Sequence, residues 1–139
     1  MINWNDISTW VVLVVDDEPD NLEVVAETLE FHHAAVKTAD DGVQALDLLK
    51  HFQPNIILLD LSMPRMDGWK TRLQIKSDPR FEQTTIIALS AHAMDGDIER
   101  ALKAGFDGYI TKPVDIANLA DSIRTAATDI IQKAQAQPS

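Results

Sequence analysis

Five short apolar runs, each followed by a polar turn and an amphipathic segment, set the strongest limit on how this chain can fold. The runs VVLVV and IILLD are unbroken by polar residues until their ends, which is typical of strands buried on both faces. The predicted strands are 11–15, 34–39, 55–60, 85–90 and 108–111. Their starts lie 21 to 30 residues apart, which leaves room for one crossover helix between successive strands and so predicts a parallel sheet.

Start and stop signals place a helix after each strand. Pro19 follows a cluster of acids, as at the first turn of a helix. The predicted helices begin at Pro19, run from about 43 to Phe52, and occupy 69–76, 97–104 and 115–133. The fold class is therefore α/β: a doubly wound five-stranded parallel sheet with helices on both faces. Its strand order, 2-1-3-4-5, is that of flavodoxin-like proteins and is adopted rather than derived from the sequence.

Composition and charge exclude several classes of protein. A chain of 139 residues with 45% apolar and 24% charged residues suits one soluble globular domain. Its net charge of −10 disfavours direct contact with nucleic acid or an anionic membrane. There are no cysteines, so disulfides and thiolate metal sites are excluded. Without a membrane-length apolar run or a secretory signal, we expect a cytoplasmic protein.

Polar residues follow four of the predicted strands, at the edge where a parallel sheet binds its ligands. With the adopted order, this edge gathers Asp16, Asp17, Asp60, Ser90 and Lys112. Clustered carboxylates without histidine or cysteine suit Mg²⁺, and a lysine and a hydroxyl suit phosphoryl oxygens. Asp60 ends a buried strand, and we predict that it is the nucleophile that accepts a phosphoryl group.

Four motifs in order resemble the receiver domain of bacterial two-component response regulators. They are VLVVDDEPDN (12–21), IILLDLSMPRMDG (56–68), ALSAHA (88–93) and YITKPV (109–114). The resemblance predicts a receiver domain over 10–128, an N-terminal extension over 1–9, and a helix end with a frayed tail over 129–139. The later stretch AHAMDGDIERALKAGFDGYITKP is most similar to single-domain receivers of the cell-division regulator type.

The resemblance implies a role for each residue at this edge. Asp60 would accept a phosphoryl group from a phosphohistidine on a histidine kinase or a histidine phosphotransfer protein. Asp17, Asp60 and the backbone carbonyl of Ser62 would bind Mg²⁺, with Asp16 acting mainly through water. Lys112 would pair with the phosphoryl group, and its bond to the following proline would be cis.

The resemblance also implies how the signal leaves the site. Ser90 would move toward the phosphoryl group and Tyr109 would turn inward, changing the face formed by helix 4, strand 5 and helix 5. That face would meet an unidentified protein target, or the phosphoryl group would be relayed onward. Ser62 and His92 would flank the attacking water and set the phosphoryl lifetime. Such a domain is no enzyme apart from catalysing its own phosphoryl transfer and slow autodephosphorylation.

Other functions fit the sequence less well. A degenerate receiver could serve as a phosphorylation-independent binding module, although all the chemical residues are present. A phosphohydrolase with an aspartyl nucleophile expects an acid two residues later, where this chain has Ser62. A dinucleotide-binding module needs G-x-G-x-x-G after the first strand, where this chain has DDEPDN. No output domain is encoded, so we expect either a free-standing receiver or a receiver that is part of a longer protein.

The tryptophans and histidines outside the motifs receive more ordinary interpretations. Trp4 and Trp10 lie in or beside the N-terminal extension, outside the core pattern, where they would cover the edge of the sheet or serve a contact. His32 and His33 end the first helix, where a cation suits the helix dipole. We expect His51 to be solvated near a helix end.

Overall fold

The described part of the chain, residues 2–63, 65–91 and 95–136 of a computed structural model, alternates strands and helices. The strands are β1 (Val11–Val15), β2 (Ala35–Ala39), β3 (Ile56–Asp60), β4 (Thr85–Ser90) and β5 (Gly108–Thr111). The helices are α1 (Pro19–Phe31), α2 (Gly42–Leu48), α3 (Gly68–Lys76), α4 (Asp95–Lys103) and α5 (Leu119–Ala136). Within these ranges, no helix has the length and apolar character needed to span a membrane.

All five strands form one parallel sheet in the order β2-β1-β3-β4-β5. This arrangement confirms the predicted fold class and strand order. β1 pairs with β2 on one side and β3 on the other, so the direction of winding reverses between β1 and β3. Because the strands are parallel, their carboxyl ends all lie at one edge of the sheet, here called the carboxyl edge, and their starts at the amino edge.

Alternate residues of the strands supply a core on each face of the sheet. Leu13 and Leu59 belong to the core covered by α2, α3 and α4, whereas Val14 and Leu58 belong to the core covered by α1 and α5. Burying an aliphatic side chain of this kind stabilises the fold by about 1.5–3 kcal/mol. The unbroken apolar runs arise because both faces of the central strands are covered.

The strands match their predicted bounds to within one residue, but α2 is shorter than predicted. It ends at Leu48 rather than Phe52. Just beyond it, Lys50 and His51 donate their backbone N–H groups to carbonyls three residues earlier, at 3.3 and 3.0 Å. The chain therefore tightens into a turn that continues the helical periodicity without forming an α-helix.

The last two helices also differ from prediction at their ends. α4 starts at Asp95, two residues early. Asp115 was predicted to cap the last helix, but its carboxylate accepts from the Asn118 side chain at 2.9 Å and makes no cap hydrogen bond. A 3₁₀ turn over Ile116–Asn118 follows it, and α5 then runs from Leu119 to Ala136 rather than ending near residue 133.

Trp10 lies in the core, which corrects the expectation that it falls outside the core pattern. Its side chain is fully buried on the α1 and α5 face. The Trp4 ring packs edge-on against it with centroids 5.8 Å apart, and the Trp10 indole N–H donates to the Asn3 carbonyl at 3.1 Å. Arg124 of α5 donates to the Trp4 carbonyl at 2.8 Å. The segment before β1 thus folds back over its own strand, which a strand pattern does not reveal.

Candidate functional site

Three aspartates from two neighbouring strands meet at the carboxyl edge. Asp16 and Asp17 follow β1, and Asp60 ends β3. One carboxylate oxygen from each lies within 4.8 Å of the other two. Asp16 and Asp60 are buried and Asp17 is exposed, so the cluster is open to solvent on one side. Within the ranges that the structure covers, this is the only grouping of three or more histidine, cysteine or acidic side chains close enough to hold one ion.

Asp16 is held in place from several directions. Its backbone N–H donates to the Ala39 carbonyl at 3.1 Å. One carboxylate oxygen accepts the Glu18 backbone N–H at 3.0 Å, and the other accepts the side-chain amide of Asn21. The side chain is fully buried. Asp16 is therefore a fixed negative charge with both carboxylate oxygens already hydrogen-bonded.

Asp60 is buried at the end of β3 with incomplete compensation for its charge. Its Oδ1 accepts the Ser62 backbone N–H at 3.0 Å, and its Oδ2 accepts Lys112 Nζ at 3.1 Å. Burial raises the pKa of Asp60 to about 6, against the opposing effects of Ser62 and Lys112, and the nearby charge of Asp16 adds to the increase. A further cation at this position would favour the ionised form.

Lys112 reaches the same cluster from the loop after β5. Its Nζ lies 3.0 Å from Asp16, 3.1 Å from Asp60 and 3.4 Å from Glu18. Burial lowers the pKa of Lys112, but its hydrogen bonds and attraction to Asp16 and Asp60 outweigh this and raise the pKa above 10.5. The bond from Lys112 to Pro113 is cis, as the resemblance implied.

The remaining predicted site residues surround this cluster. Ser90 is buried at the end of β4, and its carbonyl accepts the Lys112 backbone N–H at 2.9 Å. Tyr109 is half-buried in β5 and packs against the core under α2, α3 and α4. Ser62 is exposed and lines the solvent-open cleft above Asp60 together with Asp17, Glu18, Ala91 and Lys112. His92 lies outside the described residues.

Ser90 lines a small cavity beside this cleft. Ser62 borders both spaces. The Trp69 and Arg100 side chains form part of the cavity wall, with the guanidinium carbon 4.9 Å from the ring centroid. The structure therefore brings Asp16, Asp17, Asp60 and Lys112 into direct proximity, and Ser90 lies in the wall of the neighbouring cavity.

Two contacts at the site were missed by the sequence reasoning. Glu18 is a third carboxylate partner of Lys112, and Asn21 is a partner of Asp16. Both lie within the DDEPDN segment, whose acids were predicted only to start a helix. Because α1 begins beside the aspartate cluster, the residues of its first turn could have been predicted to contact the cluster.

The donor set at the carboxyl edge fits a hard divalent cation. All the donors are oxygens, two of the carboxylates are buried, and the partly uncompensated charge of Asp60 would be offset by a metal. The acidic cluster of this chain can therefore bind a metal ion.

The chain belongs to the response regulator receiver domain family, whose model matches residues 12–124. It is thus a receiver domain of two-component signalling, a class of protein whose function is phosphorylation-dependent signalling.

The chain is similar to a response regulator and to part of a histidine kinase. The polar-differentiation response regulator DivK of Brucella anthropi is 29% identical over 118 residues, covering 85% of this chain and 96% of DivK. The signal transduction histidine-protein kinase BarA of Escherichia coli K12 is 39% identical over 104 residues. That match covers 75% of this chain but only 11% of BarA.

Solved structures show the same fold. The chemotaxis response regulator CheY4 of Vibrio cholerae superimposes with a TM-score of 0.79 at 25% identity, over 84% of this chain and 98% of CheY4. The receiver domain of the sensor histidine kinase PA1611 from Pseudomonas aeruginosa PAO1 has a TM-score of 0.75 at 30% identity, over 86% and 98%. In that structure, a magnesium ion is coordinated in the active-site cleft.

Proposed function

We propose that this chain is a phosphorylation-activated switch in which Asp60 accepts the phosphoryl group. One observation carries the proposal: Asp60 is a buried carboxylate that contacts Lys112 and lies within 4.8 Å of two further aspartates. The donor is a phosphohistidine of a histidine kinase or a histidine phosphotransfer protein. The likeness to BarA and to the PA1611 receiver domain supports a kinase as the partner.

Phosphoryl transfer requires little of the protein beyond positioning and charge neutralisation. An oxygen of Asp60 attacks the phosphorus, a P–O bond forms and the P–N bond of the phosphohistidine breaks. The electron pair of that bond stays on the imidazole, which takes up a proton. Lys112, 3.1 Å from Asp60 Oδ2, is placed to pair with a phosphoryl oxygen, and Ser90 supplies a hydroxyl to another.

Four residues hold Mg²⁺ in this proposal. Asp17 and Asp60 bind it through their carboxylates and Ser62 through its carbonyl, while Asp16 acts through water. When bound, the ion neutralises charge on the transferring phosphoryl group. The all-oxygen donor set and the magnesium ion in the PA1611 receiver domain support this choice of metal.

The output is a change of surface rather than a chemical product. A phosphoryl group adds about −1.5 to −2 charges at neutral pH and biases an existing equilibrium between two loop positions. In this proposal Ser90 moves toward the phosphoryl group and Tyr109 turns inward. Tyr109 also borders a groove formed with Pro113, Thr125 and Ala126, which supports the face of α4, β5 and α5 as the one that meets a protein target.

Phosphorylation by a small-molecule donor tests the proposal. The protein is incubated with acetyl phosphate and Mg²⁺, and its intact mass is measured. We expect a phosphoryl adduct that is absent in Asp60→Asn and in the presence of EDTA. Asp107→Asn is the matched control, because the Asp107 carboxylate accepts the Ile86 N–H at 2.9 Å at the amino edge and this variant should still form the adduct. An adduct of undiminished yield on Asp60→Asn would contradict the proposal.

A further inference from the structure

We propose that Arg65 is a positioning residue for the metal and phosphoryl site, acting through its ion pair with Asp41. The inference rests on the proposed function, because it concerns how well the chain binds Mg²⁺ around Asp60. It assigns a role to two residues that do not touch the aspartate cluster. The pair is called the Arg65–Asp41 tether below.

The described residues of the loop after β3, 61–63 and 65–67, begin and end beside Asp60. The Gly68 N–H donates to the Leu61 carbonyl at 3.1 Å, and a Cβ on Gly68 would lie 2.3 Å from the Asp60 carbonyl oxygen. The Ser62 N–H is bonded to the Asp60 carboxylate. The base of the loop therefore packs directly on Asp60, so a displacement of the loop would also move Asp60 and Ser62.

Arg65 fixes the far end of this loop. Its backbone has φ of 66°, a left-handed conformation that non-glycine residues rarely adopt and that surrounding contacts must hold. Its guanidinium is bonded to the Asp41 carboxylate, whose side chain is only 8% exposed. Asp41 also accepts the Gln44 N–H at 2.8 Å as the N-cap of α2. Arg65 is thus attached to a rigid helix start rather than to a mobile surface acid.

The junction between β2 and α2 contacts both halves of the site. Its Ala39 carbonyl accepts the backbone N–H of Asp16. Gly42 packs so closely that a Cβ would lie 2.2 Å from Thr71 Oγ1 and 3.2 Å from Met66 Cβ. The tether therefore fixes the Ser62-bearing loop to the same junction that holds Asp16. Since a metal needs ligands from β1 and from this loop together, their relative position sets its affinity.

Calorimetric titration of the full chain with MgCl₂ tests this role. Arg65 is 62% exposed, so replacing it should change the free energy of unfolding little. Replacing a residue that positions a metal ligand without touching the metal, by contrast, commonly lowers metal affinity strongly. We expect Arg65→Ala to bind Mg²⁺ about ten-fold more weakly, and Arg65→Lys to recover most of the affinity. Arg80→Ala is the matched control, because Arg80 pairs at 2.8 Å with another capping aspartate, Asp78, at the start of a turn before β4.

A second variant separates positioning from folding. Asp41→Asn keeps an acceptor for the Gln44 N–H but removes the charge that holds Arg65. We expect it to weaken Mg²⁺ binding as Arg65→Ala does, and the double variant to be no weaker than either single one.

Three results would overturn the inference. They are unchanged affinity in Arg65→Ala and Asp41→Asn, an equal loss in Arg80→Ala, or strictly additive losses in the double variant. Wild-type protein that bound no Mg²⁺ and formed no phosphoryl adduct would instead overturn the proposed function, and this inference with it.

Discussion

Two half-buried lysines, one at each edge of the sheet, have opposite kinds of hydrogen-bond partner. At the amino edge, Lys76 donates to three backbone carbonyls, those of Phe81, Glu82 and Thr84, at 3.0, 3.2 and 2.6 Å. At the carboxyl edge, Lys112 contacts carboxylates. Burial lowers the pKa of Lys76, whereas the acids around Lys112 raise its pKa despite burial.

The difference supports a structural role for Lys76 and the chemical role proposed for Lys112. Neutral carbonyls satisfy the donors of Lys76 and join the end of α3 to the turn before β4. Around Lys112, one ammonium faces three carboxylates, so negative charge remains in excess and favours a second cation. Burial by itself therefore does not mark a functional group; what marks it is charge that its protein partners leave unbalanced.

The largest effect should come from replacing each lysine by methionine. We expect Lys112→Met to be phosphorylated by acetyl phosphate about 100-fold more slowly, because it removes the cation that pairs with the phosphoryl oxygens. Lys76→Met should keep the wild-type rate but lose about 1–3 kcal/mol of unfolding free energy, because three carbonyls lose their donor. Rates come from intact-mass time courses and stabilities from urea unfolding. An equal loss of phosphorylation rate in both variants would contradict the different roles assigned to Lys76 and Lys112.

Two buried aspartates should respond to pH with opposite sign. Without metal, the folded chain keeps a proton on Asp60 up to about pH 6, while the unfolded chain loses it near pH 3.9. Wild-type stability should therefore fall as pH rises between about 4 and 6. Asp60→Asn should avoid this fall and be more stable than wild type at pH 7 by about 1–3 kcal/mol.

Asp41 provides the contrast. Its hydrogen bond from the Gln44 N–H, followed by Arg65, lowers the pKa of this carboxyl, so its contribution is present above about pH 4 and lost in acid. Asp41→Asn should accordingly be less stable than wild type at pH 7 and approach it at low pH. Urea unfolding in EDTA from pH 3 to 8 measures both differences. A difference between either variant and wild type that is constant across this range would contradict the assigned pKa shift.

The smallest effect concerns the phosphoryl lifetime. We expect joint replacement of Ser62 and His92 by alanine to change the decay rate of the adduct several-fold, because both side chains are predicted to border the path of the attacking water. The adduct is formed with acetyl phosphate, the donor is removed, and decay is followed by intact mass. An unchanged decay rate would show that other residues set the lifetime.

Local sequence pattern predicted the sheet and the acids at its carboxyl edge, because an unbroken apolar run that ends in Asp60 encodes both burial and position. It did not predict the burial of Trp10, which depends on residues before the strand folding back. Nor did it predict that Arg65 meets Asp41, 24 positions apart in the chain. Such contacts depend on how loops pack on one another, so they cannot be predicted from the local pattern of apolar and polar residues.

The most direct test is a crystal structure of the chain with Mg²⁺ and beryllofluoride, a mimic of the phosphoryl group. The account predicts a magnesium ion bound by the carboxylates of Asp17 and Asp60 and the carbonyl of Ser62, with beryllofluoride on Asp60 and in contact with Lys112. A magnesium ion bound elsewhere, or beryllofluoride attached to another residue, would contradict it.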